Sequence, residues 1–331
     1  RNGHYFRSLV TSRGRVRLAV PRGEKGSYTY SLFDHYRRYT DEFETIVLDA
    51  LIKGHSSRNA SRFFDKAFGK GTISHQSAVA SLRRCDAEIE RWKKRSLRDK
   101  AIVVVIDAVY LKGAIPYLKS AKPVIFAYAV YADGSEEVLD YEIAHGESKN
   151  AYYRFTQKLY DRGLKDVRLV VHDDNGGVTE AVSLTWPKAL DQQCVFHILK
   201  NFRAKLRGKA YKREMCQDAE WIYQAESEAE LLKRVHFFQS KWARKSKTKA
   251  VKYLLKMIAP SIQYYQLPKQ YWMIAKTTNR LERLFEELRR RINSFRRFPN
   301  TKSCQRWLYA LLQEHKQRLG LRISKKSQHN Y

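Results

Sequence analysis

Asp107 and Asp173 occupy equivalent places in the sequence. Each ends an apolar strand-like stretch, AIVVVID at 101–107 and LVVHD at 169–173. Such runs are the signature of strands buried on both faces, and two of them adjacent in one sheet would carry both carboxylates to the same edge. Hard divalent cations such as Mg²⁺ take oxygen ligands, and a pair of them about 4 Å apart needs several carboxylates converging. A third acid is therefore expected, and the segment after Thr277 offers Glu282, Glu286 and Glu287. Glu286 and Glu287 have Arg290 and Arg291 four residues on, in the favourable order for surface pairs on a helix. Glu282 has no such partner and lies beside the apolar stripe of Leu281, Leu284, Phe285 and Leu288, so it is the candidate ligand. A single Asp after a strand is ordinarily a turn or cap residue. The metal reading rests on Asp107, Asp173 and Glu282 taken together. Successive side chains of an extended segment point to opposite sides, so Asp173 is read as ligand and Asp174, with Asn175, as the cap of a helix starting at Gly176 and Gly177.

The surrounding composition is unusual for an acid-based site. The chain has 331 residues and a formal charge of +30, from 64 Lys and Arg against 34 Asp and Glu. The natural counterpart of such a surface is a polyanion, nucleic acid above all. No uninterrupted apolar run of about 18 residues marks a membrane span. The opening RNGHYFRSL has no apolar region of the signal-peptide kind, and without an initiator Met it reads as part of a longer chain. Cys85, Cys194, Cys216 and Cys304 form no CxxC pair. That fits a reducing cytoplasm and excludes a zinc-finger framework built from cysteine alone.

The elements that would position the acids follow an α/β order after a helical start. Residues 1–39 form a strand and loop region, with RGRVRLAVPR at 13–22 as an edge strand closed by Pro21. Residues 40–100 read as three helices and a basic linker: one from Thr40 to Gly54, one from Ser57 to Phe68, and one from Ser74 to about Arg95. The glycine turn before Ser74 gives a helix-turn-helix layout, presenting His75, Gln76, Ser77, Arg83 and Arg84 either to DNA or merely to solvent on a three-helix packing unit. Residues 101–207 alternate strand, strand, strand, helix, strand, helix, strand, helix, which matches a ribonuclease H-like mixed sheet. Residues 208–270 read as an all-helical insertion. Residues 271–331 end the catalytic core with the Glu282 helix and basic helices. Over 280–326, fourteen Lys or Arg stand against four acids, with Phe285, Phe295, Phe298, Trp307 and Tyr309 interleaved. DNA-backbone contact is expected there, including Arg283, Arg289, Arg290, Arg291, Arg296 and Arg297, and from Lys112 after the first strand.

These residues resemble the Mutator-like group of bacterial insertion-sequence transposases, which carry a DDE catalytic triad. The resemblance covers nearly the whole chain: RNGHYFRSL, VRLAVPR and GSY near the start, IDAVYLK around Asp107, HGESKNAYYRFTQKLYDRGLKDVRLVVHDD around Asp173, CVFHILKN, and TTNRLERLFEELRRRINSFRRFPN around Glu282. It makes Asp107, Asp173 and Glu282 the catalytic carboxylates. Cys194 and His197 match the family's C-x-x-H pair, read as support of the active site or a DNA contact rather than half of a zinc site. The family commonly has a small residue after the second aspartate, where this chain has Asp174. The resemblance implies cleavage and joining of double-stranded DNA at element terminal inverted repeats and target DNA. It also implies two Mg²⁺ ions, replaceable by Mn²⁺, a homodimer or larger assembly, and a cytoplasmic location at the bacterial or archaeal nucleoid. The alternatives are a catalytically inactive or domesticated DNA-binding protein and a ribonuclease H-like nuclease or resolvase.

Overall fold

The computed structural model describes residues 3–22, 38–53, 55–112, 121–206, 211–242, 249–292, 298 and 300–327. They form two compact units, one made of the described residues within 1–92 and 288–327, the other of those within 93–112 and 121–287.

The first unit opens with an antiparallel hairpin, β1 (His4–Thr11) and β2 (Gly14–Pro21). Only β2 is expected from the sequence; β1 sets Tyr5 beside Phe6 and lacks the alternation that marks a strand. Three helices follow: α1 (Asp41–Ile52), α2 (Ser57–Phe68) and α3 (His75–Ser81). Each starts where a hydroxyl accepts a free backbone N–H: Thr40 from Phe43, Ser56 from Asn59, Ser74 from Ser77. Phe43, Val47, Phe64, Ile73 and Ala78 close their shared core. The single helix expected from Ser74 to about Arg95 is broken. A 3₁₀ turn at Leu82–Arg84 separates α3 from α4 (Cys85–Lys94). The Ser81 hydroxyl donates to the Ser77 carbonyl just before it, a competing bond that bends helices.

The second unit is built on a five-stranded mixed sheet of β3 (Lys100–Leu111), β4 (Lys122–Val130), β5 (Glu136–Ile143), β6 (Asp166–His172) and β7 (Leu190–Gln193), in the order β5-β4-β3-β6-β7. β3 pairs antiparallel with β4 and parallel with β6. One face is covered by α5 (Lys149–Asp161) and α6 (Gly176–Thr185), whose Phe155, Leu159 and Val182 pack against Val104, Ile106 and Ile125. α7 (Val195–Lys205), α8 (Lys212–Ile222), α9 (Glu228–Trp242) and α10 (Lys249–Ile258) share a second core around Phe202, Phe238, Trp242 and Leu254. After the short α11 (Trp272–Ala275), α12 (Asn279–Ile292) lays Phe285 on Phe126 of the sheet, ring centroids 5.3 Å apart.

The final helix, α13 (Thr301–Ser327), belongs with the first unit, where Tyr309 packs beside Cys85 and Ile89. This changes the reading of the basic C-terminal region. Phe298, Trp307 and Tyr309 are buried, as is Phe285 in the second unit, so these rings build cores rather than present faces to DNA; Phe295 lies outside the described residues. Arg291 is also buried. It donates to the carbonyl of Ile52 at 2.9 Å and pairs with Glu314. A surface contact to DNA is therefore corrected to an internal tie, because a guanidinium taken from water needs its donors satisfied locally.

Candidate active site

Asp107 does not end its strand as the sequence suggests. β6 pairs with β3 only as far as Val105, whereas β4 continues to Leu111 opposite Lys122, so the strand runs on past Asp107 with half the sheet gone. That leaves a notch in the sheet beside the carboxylate, which is itself largely buried. Asp107 stands opposite Phe126, on the face that α12 covers, and the register of Val105 with Val171 brings Asp173 level with it. Glu282, one turn into α12, faces the same place. Its carboxylate lies 3.8 Å from Nε2 of His197, whose Nδ1 is 3.9 Å from Asp173. The three acids read from the sequence thus converge, with an imidazole between two of them.

The electrostatics are those of neighbouring anions, one of them buried. Burial pushes the Asp107 carboxyl up to about 7. The Ala108 N–H and the Thr278 hydroxyl oppose that rise by hydrogen bonding to it, and the charges of Asp173 and Glu282 add to it. The side chains of Asp173 and Glu282 are 45% and 25% exposed, so the cluster is open to a ligand on one side. Burial holds the His197 ring below its ordinary value, against the pull of Asp173, and its Nδ1 has no hydrogen-bond partner among the described residues.

Cys194 supports the site from beneath. It is fully buried; its sulfur accepts from the Thr278 N–H at 3.4 Å and lies 3.6 Å from the Thr278 hydroxyl. The Thr278 carbonyl accepts from the N–H groups of Leu281 and Glu282, so this residue caps α12 while its side chain bonds Asp107. One residue therefore fixes the start of the Glu282 helix and the orientation of Asp107. Thr278 has no signal of its own in the sequence, because its partners lie 84 and 171 residues away. Glu147 is a second residue missed: it accepts from Asn175 Nδ2 at 3.1 Å and bonds the hydroxyls of Tyr110 and Tyr152.

Asn175 caps α6 alone, its Oδ1 accepting from Gly177 N–H at 3.0 Å. The joint cap with Asp174 is corrected: Asp174 is exposed and its carboxylate bonds the Tyr253 hydroxyl. Because that carboxylate is not among the groups acting on Asp107 or His197, Asp174→Ala should leave Mn²⁺ binding at the cluster within about threefold of the parent in a calorimetric titration. A loss as deep as that of an Asp173 variant would show that the two acids share one role.

Among the described residues, no group of three or more His, Cys, Asp or Glu is packed closely enough to hold an ion as placed. Donor chemistry nonetheless fits a hard divalent cation: three carboxylates gather at an exposed edge, and one is destabilised by burial and by the other two. Cys194, spent on Thr278, is not disposed as a zinc ligand. Of the residues proposed to meet DNA, His75, Gln76, Arg83, Lys112, Arg283, Arg289 and Arg290 are exposed. The Arg84 side chain and Arg296 and Arg297 lie outside the described residues. No described helix is long and apolar enough to cross a membrane.

The family model for "Transposase, Mutator family" matches residues 1–319. The transposase for insertion sequence element ISRM5 of Rhizobium meliloti is 31% identical over 314 residues, 95% of this chain and 78% of that protein. The transposase for IS905 of Lactococcus lactis is 28% identical over 331 residues, covering 98% and 82%. That for IS256 in transposon Tn4001 of Staphylococcus aureus is 28% identical over 321 residues, covering 95% and 80%. Among solved structures, the Drosophila P element transposase strand transfer complex matches 89% of this chain and 83% of its own at 13% identity, with a TM-score of 0.33, too slight a likeness to carry an argument.

Proposed function

This chain belongs to the Mutator family of transposases, and on that premise we propose that it binds the terminal inverted repeats of a DNA element and catalyses metal-dependent strand cleavage and strand transfer. The convergence of Asp107, Asp173 and Glu282, with His197 between the last two, carries this reading. The sheet order β5-β4-β3-β6-β7, with three antiparallel strands followed by two parallel ones, supports a ribonuclease H-like core with α8 to α10 as its helical insertion. In that core Asp107, Asp173 and Glu282 would hold the divalent ions, Mg²⁺ or Mn²⁺. Bound ions of this kind activate an attacking oxygen and stabilise the leaving oxygen of a phosphodiester.

The chain's own residues supply position and charge. Ala108 N–H and the Thr278 hydroxyl orient the Asp107 carboxylate, Cys194 holds Thr278, and the His197 ring keeps Asp173 and Glu282 apart. Exposed arginines of α12 and the surface of α3 would meet the DNA backbone, with α2 and α3 acting as a helix-turn-helix. Work on paired element ends calls for a homodimer or larger assembly, and a DNA substrate places the protein at the nucleoid in the cytoplasm. Incubating the protein with labelled element ends and Mg²⁺ or Mn²⁺ should give 3′-end nicks followed by joined products on a gel. Nicks that never join would point to a nuclease or resolvase; bound but uncut ends would point to a DNA-binding derivative.

A further inference from the structure

A cavity of about 390 Å³ opens in the first unit, where the β1–β2 hairpin meets the turn between α2 and α3. Three of its lining residues are Arg7, Arg15 and Arg38, none of the described lining residues is an acid, and Phe6 and Tyr39 add two rings. The backbone explains the gathering. Arg15 stands opposite Val10 in the hairpin register, and the Arg38 carbonyl accepts from the Val10 N–H, so two arginines from distant segments flank one strand position. Tyr39 is fixed from behind by stacking on Phe43 of the helical core, at 5.6 Å. Phe6 is 62% exposed, with the Arg17 guanidinium 4.1 Å from the ring centroid.

Arg15 and Arg38 make the concave site attractive to an anion, and the exposed Phe6 ring beside them offers a face for stacking. A duplex presents a convex surface and cannot place a base inside such a cavity. Its size lies in the small-ligand range of roughly 300–1,000 Å³. We infer that this cavity takes one unpaired nucleotide of a DNA strand, its phosphate at Arg15 and Arg38 and its base against Phe6. The inference rests on the DNA-binding part of the proposed function and is independent of the carboxylates.

The test uses the whole chain in EDTA, so that cleavage plays no part. Fluorescence anisotropy compares a blunt element-end duplex with the same duplex carrying a three-nucleotide unpaired tail, 2-aminopurine being placed in the tail. The tail should tighten binding at least fivefold and its fluorescence should fall on binding. Arg15→Ala/Arg38→Ala should remove most of the gain while changing blunt-duplex affinity less than threefold, and Phe6→Ala should abolish the fluorescence change. Circular dichroism confirms that each variant is folded. A tail that adds no affinity to the parent, a double variant that weakens both probes equally, or a Phe6→Ala protein that still quenches would each overturn the inference while leaving DNA binding intact. Failure of the parent to bind either probe would overturn the DNA-binding reading itself.

Discussion

Asp107→Asn is expected to lower strand joining by three orders of magnitude or more and, in the absence of divalent ions, to make the protein more stable at pH 8 than the parent. Both effects have one source. The parent carboxylate sits in a notch of the sheet that favours its neutral form, with Asp173 and Glu282 raising the cost of its charge. An amide keeps an oxygen for the Ala108 N–H yet has no charge to offer a cation. The folded carboxyl ionises at about 7, against an ordinary value of 3.8. Below about pH 4 both folded and unfolded chains carry the proton and nothing is lost. As pH rises from about 4 to about 7 the unfolded chain ionises while the folded one does not, so stability falls, and the full loss is present above 7. That difference corresponds to at most about 4 kcal/mol, and partial solvent access makes about 2 kcal/mol a fairer expectation.

Urea titrations at pH 5 and pH 8 in EDTA measure this directly. The parent should lose stability between the two while the Asn variant stays flatter. Asp173→Asn and Glu282→Gln should match the loss of joining with DNA affinity retained. Joining that survives in any of the three variants, with binding unchanged, would remove that residue from the mechanism.

Asp140→Ala should destabilise the second unit by about 3–5 kcal/mol, a large part of the roughly 5–15 kcal/mol that holds a typical domain together. Asp140 is fully buried on β5 and accepts from the Tyr141 N–H at 2.7 Å. Lys158 and Arg162 each reach its Oδ2 at 2.8 Å, and Lys93 stands 3.6 Å from Oδ1. Burial already lowers the proton affinity of Lys93 and Arg162, so removing the anion leaves cations in a place that disfavours them. Joining the change to Arg162→Leu should recover part of the loss, since fewer charges then remain buried without a counterion. Denaturation midpoints of the single and double variants provide the cycle. A single variant within 1 kcal/mol of the parent would mean that water reaches the cluster.

The division between what local sequence encodes and what it does not follows from the reach of each interaction. Apolar runs made β3 and β6 legible, since strands buried on both faces need no alternation. Hydroxyl caps marked the starts of α1, α2 and α3, because those bonds span three residues. Helical spacing made Glu282 the candidate among three acids, and strand alternation, a different period, separated Asp173 from Asp174. Where β3 ended was not legible, because β4 and β6 release it at different residues. Nor was the burial of Arg291 and of the interleaved aromatics: on a helix drawn alone they read as a basic face, and only α13 and the end of α1 supply the carboxylate and carbonyl that take Arg291 out of water. Thr278 acquires its part from Cys194 and Asp107, far away along the chain. The sequence by itself determined which acids, caps and strands exist, through contacts a few residues long. Only the tertiary structure decided which charges share a low-dielectric place, because desolvation and like-charge repulsion depend on neighbours that chain folding, not chain order, brings together.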